Sequence, residues 1–145
     1  MPADVRIYTD GAARGNPGPS ASGFMAEMEG GDIFELEESN GKATNNYAEY
    51  RAIVMALTWC GNQLKRPESL AVELYSDSEL VVKQINGLYK VKDRKLKALN
   101  TEVQGLIMQF KIVVFKNVRR SNPEIARVDK RLNLLLDGAE PAGNV

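Results

Sequence analysis

Four acidic residues stand where a folded chain could bring their carboxylates together. Asp10 ends an alternating, strand-like run, and Asp77 ends a second run rich in β-forming residues. Glu49 falls in the first turns of a helix that begins near Asn45, and Asp129 falls early in the last predicted helix. In open α/β sheets, ligand sites lie beyond the carboxyl ends of the strands. Two adjacent parallel strands would therefore bring Asp10 and Asp77 to the same place.

Four carboxylates without Cys or His nearby form a hard oxygen site, which suits Mg²⁺ or Mn²⁺. Without a cation, carboxylates in contact repel and raise one another's pKa values. Two divalent ions about 3.5–4 Å apart can activate a water and stabilise the leaving oxygen of a phosphodiester. Each acid also has a structural interpretation, because a strand-ending Asp often only forms a turn and a first-turn Glu complements the helix dipole. The acids alone leave both interpretations open.

The elements that must position these acids follow the order β-β-β-α-β-α-α-β-α. The predicted strands are Val5–Asp10, Gly23–Met28, Ile33–Glu38, Leu70–Ser76 and Lys111–Val118. The predicted helices are Tyr47–Trp59 (preceded by Thr44, Asn45 and Asn46 as capping residues), Ser78–Leu88, Leu96–Phe110 and Ile125–Leu136. Gly11–Pro19 is predicted as a turn. Strand–helix–strand passages need parallel pairing and hairpins need antiparallel pairing, so we expect an α/β fold with a mixed five-stranded sheet flanked by helices.

Composition limits the class of protein. A chain of 145 residues with 43% apolar residues is the size of one domain; we expect that domain to span residues 1–137, with a disordered tail at 138–145. No apolar run approaches the length of a membrane span, and nothing at the N-terminus suggests secretion. Cys60 is the single cysteine and is expected in the core, which fits a reducing cytoplasm. The chain has no histidine, and a zinc site needs several Cys or His ligands.

The formal net charge of zero hides an uneven distribution. Residues 1–81 hold 6 Lys and Arg against 13 Asp and Glu, whereas residues 82–131 hold 13 against 4. A basic half of this kind is typical of a nucleic-acid-binding surface, although charges also simply solvate helices. The basic surface is expected to come from Lys83, Lys90, Lys92, Arg94 and Lys95.

Several segments resemble the motifs of the type 1 ribonuclease H family. The segment Tyr8–Pro19 resembles the opening motif nearly letter for letter, and Thr44–Glu49 resembles the T-N-N-x-x-E segment. Tyr75–Ser78 resembles the third acidic motif, and Asn122–Asp129 is similar to the segment that ends in the fourth catalytic aspartate. The matches follow the family order over roughly residues 5–137.

The resemblance implies a ribonuclease H-like fold and an endonuclease that hydrolyses the RNA strand of RNA–DNA hybrids by a two-metal-ion mechanism. It implies that Asp10, Glu49, Asp77 and Asp129 bind two Mg²⁺ ions when substrate is present, with Mn²⁺ as the alternative ion. It also implies substrate-facing residues, which are Gly11, Asn16, Thr44, Asn45, Asn46, Ser78 and Arg119. Amide side chains both donate and accept hydrogen bonds, so they can engage the ribose 2′-hydroxyl. For Asn45 and Asn46, helix capping is the alternative role.

Two departures from the family pattern matter. Many relatives carry a long basic insertion, called the handle, where this chain has only Gly87–Lys95; the bacterial and archaeal handle-less subgroup shares this short form. Arg119 stands where many relatives have a mobile histidine in the loop before the last motif. We expect a monomer in the cytoplasm, with no membrane contact and no obligate protein partner.

Two other functions are consistent with such a fold, since fold alone does not fix function. One is a catalytically weak or silent nucleic-acid-binding module, which the complete set of four acids disfavours. The other is a phosphatase or a transposase-like nuclease, which the Thr44–Asn46 segment disfavours.

Overall fold

The computed structural model describes residues 3–139 of the chain. Its strands are β1 (Val5–Ala13), β2 (Gly18–Met28), β3 (Ile33–Ala43), β4 (Ala71–Ser76) and β5 (Ile112–Asn117). Its α-helices are α1 (Asn45–Gln63), α2 (Glu79–Ile85), α3 (Arg94–Ile107) and α4 (Pro123–Ala139), and a short 3-10 turn covers Pro67–Ser69. The element order of the sequence prediction is confirmed.

The strands form one mixed sheet in the order β3-β2-β1-β4-β5 over the described part of the chain. β1 pairs antiparallel with β2 and parallel with β4, and β4 pairs parallel with β5. Thr9 and Ser76 form the last aligned pair of β1 and β4. Asp10 and Asp77, the next residues along each strand direction, therefore lie side by side, as the parallel pairing predicted.

Helices cover both faces of the sheet because side chains alternate along each strand. The larger core cluster packs β1 and β4 against α1, α2 and α3, with Ile7, Tyr50, Ile53, Leu57 and Leu74 fully buried. The smaller cluster packs α4 on the opposite face of the sheet, with Tyr8, Met25, Ile125, Leu132 and Leu136 buried. Cys60 lies in the larger cluster with no exposed surface, as expected.

The predicted turn Gly11–Pro19 was wrong in its extent. β1 continues through Ala13, and β2 already begins at Gly18. The ladder pairs Gly11 with Ser22 and Ala13 with Ser20, and the Arg14 amide donates to the Pro19 carbonyl. Glycines and prolines predicted a loop here, but the neighbouring strand supplies the hydrogen bonds that extend both strands.

Helix ends also differ from the prediction, for local reasons. α4 begins at Pro123 because the Asn122 side chain accepts hydrogen bonds from two amides of its first turn, and proline suits the first helical position. α2 ends at Ile85, since Gly87 adopts a positive φ of 81°. α4 runs through Ala139, past the predicted end at Leu136, and residues 140–145 of the predicted tail lie outside the described residues.

Within residues 3–139, no helix has both the length and the apolar character needed to cross a membrane.

Candidate active site

Three of the predicted acids converge at the carboxyl end of β1 and β4. Asp10, Glu49 and Asp77 each place a carboxylate oxygen within 4.8 Å of the other two. Asp10 is 3% exposed and Glu49 is 6% exposed, whereas Asp77 is half-buried. Ionised carboxylates are rarely buried unless a cation or hydrogen-bond donors compensate for the lost water. This cluster therefore has the donor set and the burial of a site for a divalent cation.

Gly11 joins the first two acids to each other. Its amide donates to Asp10 Oδ1 at 3.0 Å and to Glu49 Oε1 at 2.6 Å. A Cβ at this position would stand 2.3 Å from the carbonyl carbon of Ala48, so only glycine lets β1 approach α1 this closely. The Ser22 hydroxyl, from β2, donates to the Ala48 carbonyl at 2.6 Å. Both strands thus hold the first turns of α1, and with them Glu49, against the end of β1.

Asp77 occupies the junction between β4 and α2. The next residue, Ser78, caps α2 by accepting a hydrogen bond from the Val81 amide at 3.2 Å. Ser78 was predicted to face a substrate, and in the structure its hydroxyl has this capping role. The cap fixes where the helix begins, which keeps Asp77 at the end of the strand.

Asp129 reaches the same place from α4, on the opposite face of the sheet from α1. Its negative charge lies close enough to Asp10 to raise the pKa of that carboxyl. Asp10 belongs to the same face of β1 as Tyr8, which packs in the α4 cluster. The structure therefore brings the fourth predicted acid near Asp10, whereas the group whose oxygens lie within 4.8 Å of one another consists of the other three.

Burial and like charge set the proton affinity of the cluster. Burial first, then the charges of Asp77 and Asp129, raise the pKa of Asp10 to about 8. The pKa of Glu49 is also raised, by its burial and then by the charges of Asp10 and Asp77. The Gly11 amide opposes both shifts, but it is one donor against several acids. A cation among these oxygens would favour the ionised forms and offset the repulsion.

Three of the predicted substrate-facing residues meet where the β1–β2 turn touches the start of α1. Asn16 Oδ1 accepts from the Asn45 amide at 2.9 Å, and Asn45 Oδ1 accepts from the Ala13 amide at 3.3 Å. Thr44 caps α1 by accepting from the Tyr47 amide at 3.1 Å. The capping interpretation is therefore correct for Thr44, whereas the Asn45 side chain bridges to the end of β1.

Asn46 differs from its neighbours because its side chain makes no hydrogen bond with any residue between 3 and 139. The side chain is half-buried in the first turn of α1, three residues before Glu49. Of the two asparagines that begin α1, Asn45 is therefore the one whose side chain is engaged within the described part of the chain.

One basic side chain of the loop before α4, that of Arg120, contacts the acidic cluster. The Nε atom of Arg120 lies 3.5 Å from Asp77 Oδ2, while 84% of the Arg120 side chain stays exposed. The Arg119 side chain is exposed and makes no ion pair or hydrogen bond with the residues that the structure describes. Arg119 was predicted to face the substrate and Arg120 was not singled out, since position in the chain does not give side-chain direction.

A groove of about 920 Å³ runs between the start of α1 and the start of α3. Its wall includes Lys42, Thr44, Tyr47, Arg94 and Lys95. A second groove, of about 700 Å³, is lined by Lys90, Lys92 and Lys97. Four residues of the predicted basic surface therefore line these grooves: Lys90 and Lys92 the second, and Arg94 and Lys95 the first. The first groove also borders the start of α1, the helix that carries Glu49.

The RNase H family model matches residues 2–121, which include the first three acids and exclude α4. The chain belongs to the RNase H family. Ribonuclease HI of Halobacterium salinarum is 36% identical in an alignment 142 positions long that covers 93% of this chain and 65% of that protein. The crystal structure of RNase H1 from this archaeon superposes with a TM-score of 0.84 at 35% identity and covers 93% of this chain and 98% of that one.

Two further relatives are similar over most of this chain. LC11-RNase H1, isolated from compost and crystallised with an RNA/DNA hybrid, has a TM-score of 0.85 at 36% identity and covers 93% of this chain and 98% of that chain. A bifunctional protein of Mycobacterium tuberculosis, Rv2228c, is 35% identical over 137 residues, or 93% of this chain and 36% of that protein. The chain thus spans less than two thirds of the curated relatives that it matches along most of its own length.

Proposed function

We propose that this chain is an endonuclease that hydrolyses phosphodiester bonds in the RNA strand of RNA–DNA hybrids. The observation that carries the proposal is the convergence of three carboxylates within 4.8 Å at the carboxyl end of two parallel strands. Asp129, on α4, raises the pKa of Asp10 by its charge, which supports it as the fourth acid of the site. Family membership and the hybrid-bound relative support the choice of substrate.

The four acids, Asp10, Glu49, Asp77 and Asp129, would hold two Mg²⁺ ions, with Mn²⁺ able to replace them. Carboxylate oxygens suit these hard cations, and no His or Cys stands among them. Bound ions would lower the pKa of the attacking water and stabilise the leaving oxygen of the scissile phosphate. The protein supplies the fixed anionic frame: the Gly11 amide orients two of the carboxylates, and burial keeps competing water away from them.

Recognition of RNA would fall to the turn at the start of α1. Asn16, Asn45 and Asn46 present amides there, and an amide can both donate to and accept from a 2′-hydroxyl. Gly11 and Thr44 would contribute main-chain and hydroxyl groups beside them, and Ser78 and Arg119 would contact the backbone of the hybrid. The grooves with Lys42, Arg94 and Lys95 then offer positive charge along the phosphates.

We further propose that the chain acts as a monomer in the cytoplasm. A single, fully buried cysteine supports a reducing compartment, because a thiol without a partner needs no oxidising environment. The acids of the cluster all come from one chain, which supports catalysis without a partner subunit.

A catalytically silent binding module is the second candidate function. Burying several carboxylates together costs stability in the absence of a cation, and binding an anionic nucleic acid does not require them. The cluster therefore favours the enzyme.

The experiment that decides between these functions compares three end-labelled substrates: RNA–DNA hybrid, double-stranded RNA and single-stranded RNA. Each is incubated with the protein in Mg²⁺, in Mn²⁺ and in EDTA, with Asp77→Asn as the control for contaminating nuclease. We expect metal-dependent cuts in the RNA strand of the hybrid and none with the variant. Hybrid binding without cleavage in either metal would establish the silent module instead.

A further inference from the structure

A continuous series of polar contacts links the β1–β2 turn to the carboxylate of Asp129. Asn133 Nδ2 donates to Asp129 Oδ2 at 3.2 Å and to the Asp129 carbonyl at 3.0 Å. The Oδ1 atom of Asn133 accepts from Arg14 Nη2 at 3.3 Å, and the same nitrogen lies 3.4 Å from the Asn133 carbonyl. Asn133 follows Asp129 by four residues, so both side chains share one face of α4.

The chemistry of the two neighbours fixes the orientation of the Asn133 amide. A guanidinium only donates hydrogen bonds, and an ionised carboxylate only accepts them. A flipped amide would present its NH₂ group to Arg14 and its oxygen to Asp129, and both contacts would become repulsive. Asn133 is therefore the one uncharged side chain of this size that serves both partners at once.

Asp129 needs such a contact because neither the packing of α4 nor its ion pairs to β3 involve the Asp129 side chain. Ile125, Leu132 and Leu136 are at most 1% exposed and fix the helix on the sheet. Packing sets the axis of a helix, but it leaves the direction of a half-exposed Asp side chain open among its rotamers. The other three acids are placed by strand ends and by α1, so α4 alone brings its carboxylate from a separate face.

We infer that Arg14 and Asn133 are positioning residues that hold the Asp129 carboxylate toward Asp10. This inference rests on the proposed function, in which Asp129 helps to bind the metal ions. Arg14 fixes Asn133, Asn133 fixes Asp129, and neither residue touches the substrate in this scheme. Outer contacts of this kind typically change metal affinity or activity by 10- to 100-fold when they are removed.

A plain tether between the turn and α4 is the competing explanation, and the chain offers a matched control for it. Arg131, on the same helix, donates to Glu37 Oε1 at 2.7 Å and to Glu37 Oε2 at 3.1 Å on β3. This ion pair fastens α4 to the sheet without contacting Asp129. Arg131→Gln should therefore loosen the helix while leaving the carboxylate contact intact.

The test is a double-mutant cycle between Asn133→Ala and Asp129→Asn, with Arg131→Gln as control. The readouts are kcat and KM for the hybrid, and the Mn²⁺ concentration that gives half of the metal-induced rise in Tm without substrate. We expect Asn133→Ala to raise that Mn²⁺ concentration and lower kcat, each by 10- to 100-fold, with KM within about twofold of wild type. Neither readout should change further when Asn133→Ala is added to Asp129→Asn, and Arg131→Gln should leave both near wild type.

Two further variants guard against a trivial loss of folding. Arg14→Gln should produce a smaller effect in the same direction, and the isosteric Asn133→Asp a larger one, because it faces Asp129 with a second anion. All variants are compared by Tm in EDTA. An equal effect of Asn133→Ala in both backgrounds, or an equal effect of Arg131→Gln, would overturn the inference. A wild type that binds Mn²⁺ but leaves hybrid uncut would overturn the proposed function alone, since the Tm cycle still reports on Asn133.

Discussion

At the residue scale, the site stores unfavourable electrostatics that a cation can relieve. Asp10 illustrates the sign of this effect. Its pKa is about 8 in the folded protein against an ordinary value of 3.8. Between those values the folded protein keeps a proton that the unfolded chain has released, so stability falls as the pH rises through this window and becomes constant above it.

Asp10→Asn should therefore abolish cleavage and stabilise the metal-free protein. The amide cannot ionise, and its neutrality also removes one cause of the raised pKa of Glu49. We expect the gain in unfolding free energy to be small near pH 4 and to grow by at most about 1.4 kcal/mol per pH unit for one proton, levelling off above pH 8. Urea unfolding in EDTA at pH 4, 6, 8 and 9 measures it. A gain of constant size across this range would show that repulsion at Asp10 is not its source.

Gly11 is the second residue whose substitution should have a predictable effect on stability and cleavage. Gly11→Ala would place a Cβ 2.3 Å from the Ala48 carbonyl carbon, so α1 must retreat and the hydrogen bond to Glu49 must lengthen. We expect a loss of about 1–3 kcal/mol in stability and at least a tenfold fall in hybrid cleavage. Gly105→Ala is the control, because a Cβ there meets nothing within 4 Å and α3 should gain about 0.5–1 kcal/mol. Equal stability of the Gly11 variant and wild type, measured by urea unfolding, would contradict this account.

Sequence motifs anticipated the acids well and their partners poorly. Asp10, Glu49 and Asp77 were predicted from the resemblance, and their convergence follows from parallel pairing of two strands. Arg120 was not singled out, because it is Arg119 that stands where many relatives have a mobile histidine. Two adjacent residues in a loop point in different directions, and only the folded backbone decides which one reaches Asp77.

At the element scale, local signals gave the order of strands and helices but not their ends. The N-cap of α1 at Thr44 could be read from the sequence because a hydroxyl before an apolar-periodic stretch caps by a local hydrogen bond. The extension of β1 and β2 could not, because it depends on pairing between residues that the turn separates. The buried hydrogen bonds between helices were equally invisible, since no local pattern encodes them.

One such network of buried and half-buried side chains joins α1, α2 and α3 to the segment Gly87–Lys95, which is called the basic segment below. The Tyr50 hydroxyl donates to Gln84 Oε1 at 2.8 Å and accepts from Asn100 Nδ2 at 3.2 Å. Gln84 Nε2 in turn lies 3.3 Å from the Lys90 carbonyl. The network therefore fixes the backbone of the basic segment from inside the protein.

Tyr50→Phe should destabilise the protein by about 1–3 kcal/mol, because it removes the hydroxyl that contacts the buried Gln84 Oε1 and the half-buried Asn100 Nδ2. Tyr47→Phe is the matched control on the same helix, since the Tyr47 hydroxyl makes no hydrogen bond with the described residues. Its effect should stay within about 0.5 kcal/mol. Urea unfolding of both variants measures the difference. Similar values for the two would mean that the buried hydroxyl contributes no net stability.

At the scale of the whole molecule, charge is divided between the acidic cluster and the two grooves lined by Lys and Arg. The uneven charge of the two halves of the sequence predicted this division, and the fold places most of the predicted basic residues in the two grooves. Lys90 and Lys92 lie in one groove, and Arg94 and Lys95 line the other, beside the start of α1. Lys83 instead pairs with Glu79 at 3.6 Å and faces the Tyr89 ring, so part of its charge is already engaged. The sequence could not show this, because the pairing depends on the path of the segment after α2.

The division of charge predicts how hybrid affinity depends on salt. Each phosphate contact contributes close to −0.9 to the slope of log affinity against log salt on B-DNA. If Lys90 and Lys92 each contact one phosphate, the double variant Lys90→Ala and Lys92→Ala should weaken binding at low salt and flatten the slope by about two. The matched control is Lys65→Ala with Lys111→Ala, which removes the same charge from two exposed positions, one just after the end of α1 and one just before the start of β5. Titration of labelled hybrid in EDTA at several salt concentrations measures both slopes. Both double variants lower the net charge equally, so a general electrostatic attraction would change the two salt slopes alike. A larger change for the Lys90 and Lys92 variant would show that these two lysines contact phosphates directly.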